Sequence, residues 1–112
     1  MKDTVILVTS NGMGIANEQL QQLLFGKYVE LLLQNESLPA ALCFYTEGVR
    51  LVCEGSPVLE GLNNLENKGV RLIVCSTCLN YFELTGNVRV GLVGGMGDIL
   101  EAQVKAEKVI TI

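Results

Sequence analysis

Five short apolar runs punctuate the chain: Thr4 to Thr9, Ala40 to Thr46, Val70 to Cys75, Arg89 to Val93 and Val109 to Ile112. Their residues are β-branched or apolar almost throughout and do not alternate with polar ones. A strand covered on one face alternates, whereas a strand covered on both reads as a continuous run, as in parallel sheets. The runs therefore predict five strands of a mainly parallel sheet.

The segments between them carry helical period. Leu20, Leu23, Leu24, Tyr28, Leu31 and Leu32 recur at steps of three and four, with Glu18, Gln22, Lys27, Glu30 and Gln34 largely between them. That spacing predicts an amphipathic helix with one apolar stripe. Leu38-Pro39 ends it, because the residue before proline avoids the α region. A second helix opens at Ser56-Pro57, serine suiting the N-cap and proline the first turn. Val58, Leu59, Leu62 and Leu65 form its buried face, and Lys68-Gly69 closes it. A short helical turn follows Cys75, and a last helix starts near Asp98 with Glu101 three residues on. Glu47 to Gly55 reads equally as a helical turn or a loop. Strands alternating with helices predict an α/β fold, a three-layer α/β/α sandwich around a five-stranded sheet.

Composition narrows the function. The chain has 112 residues, 12.1 kDa, which predicts a single domain over residues 1–112. With 49% hydrophobic and 18% charged residues it is not intrinsically disordered. A net charge of −4 supplies no basic field to displace counterions, so a nucleic-acid partner is not expected. There is no histidine, which removes Ser-His-Asp and Cys-His nucleophile activation and HExxH zinc chemistry. The first apolar run is too short for a signal-peptide core or a membrane span, so the expected location is cytoplasmic, with no membrane partner. In that compartment the four cysteines read as thiols.

In a parallel α/β sheet, ligands gather beyond the carboxyl ends of the strands. Here those ends carry Ser10-Asn11-Gly12-Met13-Gly14, Thr46-Glu47-Gly48-Val49-Arg50, Cys75-Ser76-Thr77-Cys78 and Gly94-Gly95-Met96-Gly97-Asp98. The loops thus place Asn11, Gly12, Gly48, Arg50, Ser76, Thr77, Gly94 and Gly95 on one rim as candidate substrate- or anion-binding residues. Gly12-x-Gly14-x-x-Asn17 lacks the third glycine of a dinucleotide fingerprint and reads first as a tight turn. The Cys75-x-x-Cys78 pair is the sharpest feature, its second thiol falling in the first turn of a helix, where exposed N–H groups and the positive dipole end favour thiolate. Arg50 adds positive charge if its segment folds over the rim. Packed, inert thiols are the competing reading. No metal site is expected: the other half of a zinc site would be Cys43 and Cys53, nine residues apart and unlike a paired knuckle. No cofactor is expected either.

Val70 to Leu84, VRLIVCSTCLNYFEL, resembles the strand–cysteine–helix segment of the DsrE/DsrF-like family, and most closely the C-terminal domain of YedF-type selenium-metabolism proteins. Thr46 to Leu51, Glu54-Gly55-Ser56, Val58-Leu59 and the ending Gly97 to Ile110 are similar to that domain as well. The resemblance implies a Rossmann-like fold in homo- or hetero-oligomers. It implies a sulfurtransferase-like relay in which a cysteine at the position of Cys75 carries sulfane sulfur as a persulfide, with Cys78 able to resolve it. YedF-type proteins carry an additional N-terminal SirA/TusA-like domain that this chain lacks, which points to a separate SirA/TusA-like carrier as partner. Two readings stand beside the relay: a CxxC dithiol redox protein or sensor, and a non-catalytic oligomeric interaction subunit.

Overall fold

The computed structural model describes residues 1–112. Five strands form one sheet in the order β4-β3-β2-β1-β5, every neighbouring pair parallel. They are β1 (Thr4–Val8), β2 (Ala41–Phe44), β3 (Arg71–Cys75), β4 (Leu92–Gly94) and β5 (Lys108–Thr111). Four α-helices connect them: α1 (Glu18–Gln34), α2 (Leu59–Asn67), α3 (Ser76–Tyr81) and α4 (Met96–Lys105). The predicted α/β architecture with a mainly parallel five-stranded sheet is the one observed.

Crossovers between parallel strands are right-handed, so the direction of each step decides which face its helix covers. The steps β1 to β2, β2 to β3 and β3 to β4 all run the same way, which places α1, α2 and α3 on one face, with α1 packed on α2. The step from β4 to β5 returns past three strands, so α4 lies across the opposite face and packs on β3. The central strands β1 and β2 are buried throughout and β3 is buried from Leu72 to Cys75, as their unbroken apolar runs predict. The edge strands β4 and β5 are largely exposed despite a similar composition, because each has only one neighbour. Strand β4 starts later than its apolar run, after Gly91 turns at φ +87°.

Helix α1 corrects the periodicity reading. Phe25, Val29 and Leu32 face the sheet, while Leu20, Leu23, Leu24 and Leu31 lie exposed on the outer side. The helix carries two apolar stripes, and spacing alone does not say which one meets the sheet. Asn17 caps α1, its side chain accepting from the Leu20 amide at 2.9 Å, so the glycine loop before it is a strand-to-helix turn. Helix α2 starts at Leu59, slightly later than Ser56-Pro57 predicts, with Val58, Leu62 and Leu65 buried and Leu59 half-buried. Helix α4 starts at Met96 rather than Asp98. Asp98 instead occupies its third position, its carboxylate accepting from the Gly95 amide while its own amide donates to the Gly95 carbonyl. The ambiguous stretch after β2 is a 3-10 helix, Thr46–Val52. No helix is long and apolar enough to cross a membrane.

Cys43, in the middle of β2, has no exposed surface, and burial pushes its thiol up to about 11 from 9.0, only partly offset by the charge of Arg71. The folded chain therefore holds this proton where the unfolded chain has released it. Its contribution to stability is complete below pH 9 and is lost as pH rises toward 11. Cys53, Cys78 and Tyr28 are shifted upward too and add slope of the same sign. Denaturant midpoints measured across this range should fall with pH, and less steeply in Cys43→Ala. Parallel curves for the two proteins would remove Cys43 as a cause.

Candidate functional site

The register of the sheet builds the site. Val8, Phe44 and Val74 stand in one row across β1, β2 and β3, so the chain leaves all three strands side by side at Thr9, Tyr45-Thr46 and Cys75. Cys75 closes β3, pairs with Gly94 of β4, and serves as the N-cap residue of α3. One helical turn later Cys78 comes back near it, close enough for the two thiols to influence each other's charge. Cys75 has no exposed surface in the isolated chain, whereas Cys78 is half-buried. The other cysteines lie in the core: Cys43 within β2, and Cys53 with its thiol donating to the Val49 carbonyl at 3.2 Å. No group of three or more cysteine or acidic residues is placed to hold a metal ion.

Above the pair sits Thr46. Its backbone amide donates to the Cys78 sulfur at 3.0 Å. Its hydroxyl lies 2.5 Å from the Thr9 carbonyl and 2.7 Å from the Tyr45 carbonyl. Thr46 holds φ +50°, a conformation that β-branched residues rarely adopt. Such strain costs about 1–3 kcal/mol and persists only where surrounding bonds fix it.

Electrostatics at Cys78 overturn the expectation of a thiolate primed by the helix terminus. Burial raises its pKa, and the neighbouring Cys75 raises it further, while the Thr46 amide works in the opposite direction. Helix α3 has only six residues, too short to build a large dipole against that desolvation. The expected help from Arg50 also goes elsewhere. The segment does fold over the rim, but the Arg50 guanidinium pairs with Glu47 at 2.5 Å and lies 4.5 Å from the Phe82 ring centroid. The thiol its charge acts on is Cys53.

The remaining candidates divide into those that join the rim and those that pack the fold. Asn11 and Arg50 line a polar cleft of about 460 Å³ together with Thr9, Glu18, Gln21 and Glu47. Two carboxylates against one guanidinium give it no positive excess. Gly12 and Gly48 are buried by packing: a Cβ on Gly12 would strike the Gln21 backbone at 2.3 Å, and one on Gly48 would strike the Val8 carbonyl at 2.1 Å. The Gly48 amide is used by Tyr45, and the Gly95 amide by Asp98. Gly94 lies beside Cys75, under the same Asp98 carboxylate. Ser76 and Thr77 open α3 next to the thiols, Ser76 half-buried and Thr77 exposed. The sequence reading did not single out Thr46 or Phe82. Phe82 lies four residues beyond Cys78 at the C-cap of α3, a spacing that could have revealed it, but no local pattern announces a left-handed threonine.

Residues 5–112 match the DsrE/DsrF-like family. Comparison with curated proteins gives no match. Among solved structures, the chain is similar to MTH1491 from Methanobacterium thermoautotrophicum, a protein of unknown function, with a TM-score of 0.72 and 19% identity over 97% of each chain. It is similar to the ychN protein from E. coli, with a TM-score of 0.72 and 16% identity over 97% of this chain and 98% of that one. BT1422 from Bacteroides thetaiotaomicron, a conserved protein of unknown function, matches with a TM-score of 0.65 and 16% identity over 98% and 95%. At these identities the structures speak for the fold, and the family match over nearly the whole length speaks for descent: the chain belongs to the DsrE/DsrF-like family.

Proposed function

We propose that this chain is a sulfur-relay protein, a sulfurtransferase by reaction class, that carries sulfane sulfur as a persulfide on the Cys75–Cys78 pair. The observation that carries the reading is the half-buried Cys78 sulfur, bonded by the Thr46 amide and one helical turn from a fully shielded second thiol. Cys78 meets the donor. Its thiolate attacks the outer sulfur of a hydropersulfide, forming Cys78–S–SH, and the S–S bond of the donor breaks with its electron pair leaving on the donor thiolate. Cys75, once deprotonated, then attacks the outer sulfur, storing it as Cys75–S–SH and returning the electron pair to Cys78. An acceptor thiolate unloads it by the same exchange. The resemblance of Val70 to Leu84 to YedF-type domains supports selenium as an alternative cargo, and a SirA/TusA-like carrier as donor or acceptor. Four free thiols support a cytoplasmic setting. The placing of both thiols at the start of α3 also favours a second reading, dithiol redox exchange, in which Cys75 attacks the inner sulfur, releases hydrosulfide and leaves a Cys75–Cys78 disulfide.

Intact-mass spectrometry after incubation with a small hydropersulfide separates the readings. The wild type should gain the mass of one sulfur, Cys78→Ser should gain none, and Cys75→Ser should load on Cys78 but lose the sulfur faster to an added thiol. No adduct on the wild type, or equal loading of Cys78→Ser, contradicts the relay. A disulfide with no retained sulfur assigns the pair to dithiol exchange.

Self-association belongs to the same proposal. Met96, Leu100 and Val104 stand exposed at four-residue steps along α4, beside Leu92 and Val93 of the β4 edge, and α1 leaves four leucines uncovered. Contiguous apolar surface of this kind marks a covered face. Light scattering should give a multiple of 12.1 kDa, and a Leu100→Glu, Val104→Glu double variant should give a smaller species. A wild-type monomer at micromolar concentration would contradict this part.

A further inference from the structure

The geometry points to Thr46 as the positioning residue of the thiol pair: its hydroxyl, anchored on the Thr9 carbonyl, pins the end of β2 so that its amide stays on the Cys78 sulfur. The inference rests on the sulfur-relay reading for its purpose but on separate observations for its geometry.

A threonine has no intrinsic reason to sit in the left-handed region, and glycine would fill that position without cost. What threonine adds is the hydroxyl. Val8 and Phe44 are register partners, so Thr9 lies beside the end of β2 and its carbonyl is within reach of the Thr46 hydroxyl. The first residue of the 3-10 helix is thereby tied to the end of β1, while extended Tyr45 (φ −146°, ψ 172°), whose own amide donates to Val8 of β1, directs the Thr46 amide to the opposite side, where Cys78 stands.

The bond is of use wherever negative charge resides on Cys78. In loading, it stabilises the attacking thiolate. In transfer onward, the bond between Cys78 Sγ and the outer sulfur breaks, its electron pair returns to Sγ, and the better-stabilised thiolate leaves faster. The groups around Cys78 leave this task to the amide. From β3 it faces Cys75, another thiol, and the 3-10 helix brings Glu47 and Arg50, which pair with each other. Helix α3 has no charged side chain, and the Asp98 carboxylate, beside Gly94 at the start of α4, is engaged by the Gly95 amide.

The test is the pH profile of Cys78 alkylation by iodoacetamide, read by peptide mapping in the wild type, Thr46→Ala and Thr46→Ser. Loss of the anchor should move the Thr46→Ala profile to higher pH, slowing Cys78 about tenfold near neutrality, as expected for one charge-assisted hydrogen bond. Thr46→Ser, which keeps the hydroxyl, should follow the wild type. Should Thr46→Ala fail to fold, Thr46→Gly, which accepts φ +50° without strain, is measured instead and should show the same shift. An unshifted profile in the folded variant, or an equal shift in Thr46→Ser, would overturn the inference. Because alkylation needs no persulfide, failure here is distinct from failure of sulfur loading.

Discussion

The row Val8, Phe44, Val74 is the constraint on which the site depends. Three buried parallel strands held in that register bring Thr9, Thr46 and Cys75 to one edge of the sheet, although they are far apart in sequence. A one-residue slip in any of the three would turn its core side chains to the opposite face and displace its terminal residue. Burial on both faces forbids the slip, so the same hydrophobic packing that stabilises the domain fixes the positions of the hydroxyl, the amide and the two sulfurs.

At the thiols, two forces oppose each other. Desolvation favours the neutral sulfur of Cys78, and the Thr46 amide favours the charged one. Desolvation prevails in the resting chain. A thiol kept mostly protonated is poorly reactive toward stray electrophiles, yet its thiolate, once formed, is more nucleophilic than that of an acidic thiol. The shielding of Cys75 fits a sulfur held for delivery and protected from water.

The sheet was legible because continuous apolar runs report burial on both faces, and the end of α2 because Lys68-Gly69 leaves a local signature, whereas α4 starts two residues before the position its sequence suggests, Asp98 being its third residue and not its cap. The packing side of α1 was not, since Leu20, Leu23, Leu24 and Leu31 obey helical spacing as well as Phe25, Val29 and Leu32 do. Their apolar stripe is genuine but faces outward. The cysteine pair was visible in sequence; the ranking of its members was not, because which sulfur reaches solvent depends on where a short helix lands. Arg50 was expected to serve the pair, but Glu47, three residues earlier, holds it locally. Thr46 stayed hidden because its role rests on a carbonyl contributed by a distant strand and a sulfur contributed by a distant helix.

The central claim is that Cys78 is the sulfur through which the molecule meets its partners and that Cys75 lies behind it. Limited labelling of the folded chain with substoichiometric iodoacetamide, with the modified residue located by tandem mass spectrometry, tests it most directly. The account predicts label on Cys78 well ahead of Cys75, Cys43 and Cys53. Label appearing first on Cys75, or equally on both members of the pair, would contradict it.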